Sequence, residues 1–390
     1  MKKENIHYRI PLFYLVTSLF WFSLYTYVPN LPTYAESLGA SHKLIGIILS
    51  SYGFTQMVLR IPLGIYSDTI NKRKIFILLG ILASVVSAVG MGLFRNPVAL
   101  LLFRGLSGVA AAAWVPFTVL FSSYFTTEDS SKAMGYVNSF NQLGQMLAML
   151  LGGILASRLT STQAPFFLAA GAGIVTLMLG TGIVENKEKR EPMNISLLLS
   201  VGKDKNLLIP SGLAVLVQLL TFGTVFGFTP IAARNIGANN FQLGLLTTFS
   251  TLPAILSSAM SGSIFAKKLG EKKTIALSFL AMAFASAIIP SINSLNFLYL
   301  SQIIGGFARG VVFSLLMSLS IKAVDPNRRA TAMGFFQAIY GLGMFIGPIM
   351  VGFISDIAGL SWGFWITGII GVIGSFLTWI LIKTSEEENL

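Results

Sequence analysis

The sequence predicts an all-α integral membrane protein, with twelve transmembrane helices in two pseudo-symmetric six-helix bundles. Three observations carry this. First, 54% of the 390 residues are hydrophobic and 11% are charged, against about 25% charged in a soluble domain, and the mean hydropathy is +0.75. Second, the apolar residues come in continuous runs of spanning length, not in the alternating pattern of a membrane barrel. Third, the chain repeats itself. Leu38-Gly39-Ala40 with Gly46 returns as Ile236-Gly237-Ala238 with Gly244, Pro32 as Pro230, Gly64 as Gly262 and Lys74 as Lys272. Further on, Met134-Gly135 returns as Met333-Gly334, and Gly144, Ala148, Met149 and Gly153 match Gly343, Gly347, Pro348 and Gly352. A parallel repeat of six helices marks a transporter whose site lies between its halves.

Each span rests on a run of about 20 mostly apolar residues. The first, 10–30, follows Met1-Lys-Lys and has no small-residue cleavage site after it, so it reads as a helix and not as a signal peptide. Spans 43–68, 73–94, 97–125, 131–157 and 164–184 complete an N-terminal bundle over residues 1–184. Residues 185–206 are the longest polar stretch, ENKEKREP, then the apolar patch ISLLLSV, then KDKN. They are expected to form a cytoplasmic linker, with the patch as a short helix on the membrane surface. Spans 207–232, 240–266, 273–290, 295–322, 329–354 and 360–383 build the C-terminal bundle over 207–390.

The net charge is +12. In a soluble protein that would suggest nucleic acid, but here the positions of the cations decide otherwise. With the N-terminus in the cytoplasm, twenty of the 27 Lys and Arg fall on the inner side, among them Lys2, Lys3, Lys72, Arg73, Lys74, Lys267, Lys268, Arg328 and Arg329. Lys43, Arg95, Arg158 and Arg234 fall outside, and Arg60, Arg104 and Arg309 fall within helices. This asymmetry predicts a multi-pass protein of the cell (inner) membrane, with both termini cytoplasmic and no nucleic-acid partner. No cysteine is present, so no disulfide or thiolate chemistry is expected. His7 and His42 fall in a tail and an outer loop. No buried acid, nucleotide loop or metal-ligand cluster appears, so neither an enzyme nor a cofactor nor a metal is expected.

The stretch GIYSDTINKRK, residues 64–74, ends an apolar run with one aspartate followed by three cations. It resembles the loop between helices 2 and 3 of the major facilitator superfamily, roughly G-x-L-S-D-R-x-G-R-R. Gly64, Ser67, Asp68, Lys72 and Arg73 fit, while Asn71 stands for a glycine and Thr69 for a basic residue. The resemblance covers essentially the whole chain and implies that superfamily's two-bundle fold. Two further patterns are similar. FRGLSGVAAAAW places Arg104 and Gly108 in an R-x-x-x-G pattern. GQMLAMLLGG, from Gly144 to Gly153, resembles the antiporter pattern G-x-x-x-G-P-x-x-G-G, with Ala148 and Met149 as departures. The resemblance implies a secondary transporter working by alternating access, usually a monomer, and it favours the drug-efflux-like branch. It also implies that Gly64, Asp68, Lys72 and Arg73 form a conformational latch against the start of helix 11 when the inner gate is closed. Ala266 replaces Asp68 in the second half, where no strong latch is expected.

Helical spacing groups the candidate substrate contacts. Asn138, Asn141, Gln142 and Gln145 fall at i, i+3, i+4 and i+7, a polar stripe that must face partners or water. Gln337, Tyr340 and Met344 occupy the matching face of helix 11. Arg104, Ser107 and Trp114 share one face of helix 4; Gln302 and Arg309 share one face of helix 10. Arg309, about fourteen residues or roughly 21 Å into its helix, is placed near mid-membrane. It is either an anchor for a substrate carboxylate, phosphate or sulfonate, or a structural arginine held by carbonyls or amides. Arg60 is expected to snorkel or to join the network of Asp68, with a substrate role as the other possibility. Tyr25, Phe22, Tyr52, Tyr136, Phe222, Phe226 and Gln218 are further cavity candidates. All fifteen carboxylates lie in loops, tails or helix ends. The expected substrate is therefore a small amphipathic molecule, neutral or anionic, with efflux as the first reading. The alternative is an organic-anion transporter or exchanger anchored by Arg309. The coupled species is left open between a proton and a counter-substrate.

Overall fold

The computed structural model describes residues 6–70, 72–125, 127–185, 204–322, 324 and 329–382, without the side chains of 6–8, Asp68, 127–133, Arg329 and Ala330. Among the described residues every regular element is helical. The helices are α1 (Ile6–Tyr25), α2 (Leu31–Ser37), α3 (His42–Thr69), α4 (Arg73–Leu93), α5 (Pro97–Ala112), α6 (Trp114–Ser122), α7 (Thr127–Arg158) and α8 (Ala164–Gly180), then α9 (Lys205–Leu220), α10 (Thr229–Asn235), α11 (Asn240–Met260), α12 (Glu271–Ala287), α13 (Leu295–Lys322), α14 (Arg329–Ala358) and α15 (Leu360–Leu381). Among the described residues nine helical stretches are long and apolar enough to cross a membrane, and Arg9–Tyr25 and Ala164–Gly180 are shorter apolar helices. The 32-residue α7 is more polar because of its amide stripe. The apolar linker patch lies outside the described residues.

The expected span 240–266 closes in a π-helical stretch, Ser261–Ala266, and three other spans depart from simple rods, each for a local reason. The expected first span, 10–30, is corrected: α1 ends at Tyr25, the chain turns through 26–30, and α2 restarts with Pro32 in its first turn. A proline there lacks only an N–H that would have no helical partner anyway. The second half repeats the plan. A π-helical stretch, Thr221–Phe228, leads into α10 with Pro230 in its first turn. Both short helices stop at a glycine of positive φ, Gly39 at 84° and Gly237 at 91°, a conformation only glycine adopts without strain. The expected span 97–125 breaks at Ala113 into α5 and α6. Pro116 has no N–H to give the Ala112 carbonyl, so the helix cannot run through unbroken.

The repeat seen in the sequence is also a repeat of contacts. The Tyr52 carbonyl crowds Gly108 and, one repeat on, the Ser250 carbonyl crowds Gly306. Helices α3 and α14 pack against each other, as do α7 and α11. Pro348 and Gly352 press on Gly46, while Met149 and Gly153 press on Gly244. Small residues let backbones meet closely where no water-driven force assembles helices.

Candidate functional site

The two halves meet most closely toward the α2, α3 and α10 ends that the charge asymmetry assigns to the outside. There, the Ser50 hydroxyl donates to the Phe345 carbonyl at 2.6 Å. The Asn240 amide donates to the Ala156 carbonyl at 3.4 Å, and the Lys43 ammonium sits 4.6 Å from the Phe353 ring centre. Toward the inner end the facing surfaces carry amide side chains. On α7, the face bearing Met149, Gly153 and Ala156 continues inward as Asn138, Asn141, Gln142 and Gln145. Asn138 is exposed, Gln142 and Gln145 are half-buried, and Asn141 is buried. The Gln145 amide donates to the Asn141 carbonyl oxygen, whereas Asn138 donates to the Met134 carbonyl of its own helix at 2.9 Å. On α14 the half-buried Gln337 lies one turn from Gly341, which packs against Met57 of α3. Among the described residues, close backbone approaches between the halves, Gly46 with Pro348 and Gly244 with Met149, lie toward that outer end.

Three arginines lie deep in this interface. Arg104 of α5 is buried, with its guanidinium carbon 4.2 Å from the Tyr52 ring centre and 5.8 Å from that of Tyr27. Its one side-chain hydrogen bond, to the Ser107 hydroxyl, is long at 3.4 Å. Arg309 of α13 is half-buried. It donates to the Ser250 carbonyl at 3.3 Å and lies 5.6 Å from the Phe226 ring centre. Ser250 is the repeat counterpart of Tyr52, so each half holds a guanidinium over the same place on its second spanning helix. Arg60 corrects the expectation that it snorkels, while a contact with the Asp68 side chain falls outside the described residues. Arg60 is buried and donates across the interface to the Tyr340 hydroxyl at 3.4 Å.

Aromatic rings join these cations. The Tyr25 and Tyr52 hydroxyls interact with each other, and Tyr25 is within electrostatic reach of Arg104, Arg309 and Tyr340. Tyr52 stacks with Phe222 at 6.4 Å, and Tyr25 meets Phe226 edge-on at 6.2 Å. Trp114 reaches the cluster indirectly, edge-on to Trp21 at 5.4 Å, which tilts against Tyr25 at 5.8 Å. Gln302 is buried and turned to the neighbouring Ser301 hydroxyl, 3.2 Å away, rather than to Arg309. Of the predicted contacts, the structure therefore gathers Arg104, Arg309, Tyr340 and Tyr25. It leaves Trp114 behind Trp21 and Asn138 on its own backbone. Such a site offers guanidinium donors and aromatic faces, and no carboxylate lies among them.

The loop of Gly64, Asp68, Lys72 and Arg73 sits apart from this cluster. The side chains of Asp68 and Arg329, and all of Arg328, lie outside the described residues. Lys72 is exposed and Arg73 buried. Sequence reasoning missed Glu185, placed in the linker. Its two oxygens accept the backbone N–H groups of Arg73 at 2.9 Å and Lys74 at 2.8 Å, and the Lys74 ammonium donates to the Thr181 carbonyl at 2.6 Å. A carboxylate here fills the open N-terminus of α4. The signal was an acid at the end of a span, which the sequence cannot direct to a helix start over a hundred residues away.

Residues 13–208 and 211–390 match the family described as Major Facilitator Superfamily. An uncharacterized MFS-type transporter of Methanocaldococcus jannaschii is 26% identical over 363 residues, covering 91% of this chain and 93% of that protein. Multidrug resistance protein 2 of Bacillus subtilis is 21% identical over 406 residues, covering 97% of each. Among solved structures, a bacterial homolog of the human lysosomal transporter Spinster, in an inward-facing and occupied conformation, superposes with a TM-score of 0.82. That likeness is at 15% identity, over 98% of this chain and 97% of the other.

Proposed function

The chain belongs to the Major Facilitator Superfamily, and from that premise we propose that it exports a small amphipathic organic molecule by alternating access. The substrate sits at the arginine and tyrosine cluster between the halves. The protein lies in the cell (inner) membrane with both termini cytoplasmic, and residues 1–184 and 207–390 rock about the site as two bundles. The efflux reading draws support from the multidrug resistance protein among its relatives. The chemistry of the site narrows the cargo. One observation carries this: Arg309 is half-buried at the interface, held by a single long bond to a carbonyl, and none of the fifteen carboxylates is in a helix middle. A cation at mid-membrane costs at least about 3 kcal/mol unless something compensates it. That favours a neutral or anionic head group over a cationic one, and it is why the organic-anion reading stands beside the broader one. Asp68, Lys72 and Arg73, with Gly64 at the close approach to Val115, serve as the inner latch in the opposite state.

The test is ligand-induced thermal stabilisation of purified wild type beside Arg309→Gln, with a panel of organic anions, organic cations and neutral amphiphiles. Stabilisation of wild type by anions, lost in the variant, makes Arg309 the anchor. Equal stabilisation of both proteins by cationic or neutral compounds makes Arg309 structural and leaves only the broad efflux reading.

A further inference from the structure

Arg60 and Arg104 differ from Arg309 in how poorly they are satisfied. An arginine carries five N–H donors. Arg60 is 5% exposed and Arg104 is 3% exposed, and among the described residues each makes one hydrogen bond of 3.4 Å and the Nε–H of each is buried without a partner. A buried donor left unmade costs about 1–3 kcal/mol, and two uncompensated guanidiniums near each other cost more. Tyr52 lies between the two: it carries the Arg104 guanidinium on its ring and is within electrostatic reach of Arg60. Arg60 is eight residues, roughly 12 Å, along α3 from Tyr52, and its partner Tyr340 belongs to the other half.

Resting on the interface site described above, we propose that Arg60 and Arg104 form a second anion subsite, so that the cargo carries two separated acidic groups. One acid pairs with the Arg309 anchor and with Arg104 above Tyr52; the other displaces Tyr340 as the partner of Arg60. The aromatic rings of Tyr25, Phe222 and Phe226 cover the chain between them. Arg60 thereby reads the second charge, and its bond to Tyr340 is the contact made in the absence of cargo.

The experiment compares compounds of one chain length on the purified protein in a neutral detergent: octanoate, suberate (its α,ω-dicarboxylate), octanol and octyltrimethylammonium. Each is titrated against the melting temperature of wild type, Arg60→Gln and Arg60→Lys. Hydrophobic burial alone ranks octanoate above suberate, because suberate exchanges a buried methyl for a charge. The expected result is the reverse order, with half-maximal stabilisation by suberate at about tenfold lower concentration, the value of one added charge-assisted bond. Arg60→Gln should lose that advantage and keep the octanoate response, and Arg60→Lys should recover part of it. Suberate no better than octanoate on wild type overturns the proposal, as does an Arg60→Gln protein that keeps the suberate advantage. The wild-type comparison decides even if Arg60→Gln does not fold. Stabilisation by octanol or octyltrimethylammonium equal to both acids removes the anionic reading of the site as well, so the two failures are distinguishable.

Discussion

Gly46 and Gly352 meet with no side chain between them. A β-carbon on Gly46 would lie 3.3 Å from the Gly352 α-carbon, and one on Gly352 would lie 3.1 Å from that of Gly46. Gly153 and Gly244 make the same contact in the other helix pair, at 3.0 and 3.2 Å. These two crossings join the halves at the ends that the charge asymmetry assigns to the outside, so substitution there acts on the conformational equilibrium rather than on either bundle alone. Gly46→Val and Gly244→Val are each expected to open the outer side. Overpacking of a tight contact costs about 1–3 kcal/mol, enough to shift a two-state population about tenfold. The chain has no cysteine, so a single Phe226→Cys reports directly. Its labelling by an impermeant thiol reagent from outside should rise about tenfold in the valine variants. Unchanged labelling would mean the crossings do not gate the site.

The carbonyls of Tyr52 and Ser250 crowd Gly108 and Gly306 at equivalent places within the two halves. These contacts lie inside one bundle, so their loss destabilises the fold in any conformation. Gly108→Ala and Gly306→Ala should each cost about 1–3 kcal/mol. Gly212 has no atom within 4 Å of where its β-carbon would sit, and Gly212→Ala should be neutral or stabilising by up to about 1 kcal/mol. Thermal unfolding of the three variants in one detergent checks the contrast.

Glu185 closes the N-terminus of α4, whose N-cap residue, Lys72, supplies no side-chain cap. Glu185→Ala should cost about 1 kcal/mol of stability, the usual value of a lost cap. Glu185→Gln, which keeps an acceptor but not the charge, should cost less. Both variants should bind ligand as wild type does, because the contact is remote from the arginine cluster. A binding defect with unchanged melting would show that Glu185 acts on the transport cycle.

Much of this architecture was legible in the sequence because the bilayer makes spanning helices long and apolar. Span 295–322 coincides with α13, and 43–68 differs from α3 by one residue at each end. The register of the repeat also carried over into contacts, since a glycine that must meet a backbone is replaced by little else. Helix interruptions were not legible in the same way. The break at Ala113 and the turn after Tyr25 follow from prolines, but a proline within a membrane span is as often absorbed as obeyed. Side-chain direction was the hardest part. Arg60 was placed by its distance from the inner surface, yet its side chain points into the interface. Gln302 shares a face with Arg309 by spacing and still turns to Ser301.

The order in which the chain is made bears on Arg60. Arg104 finds Tyr27 and Tyr52 in segments synthesised before it, and Arg309 finds Phe226 and Ser250 already in place. Arg60 must enter the bilayer with α3 while Tyr340 is still 280 residues from the ribosome's exit. Insertion of an arginine at the centre of a helix costs about 3 kcal/mol, so α3 is the span whose biogenesis depends most on the finished protein. Truncation within the C-terminal half thus leaves a nascent bundle whose buried Arg60 lacks its Tyr340 partner.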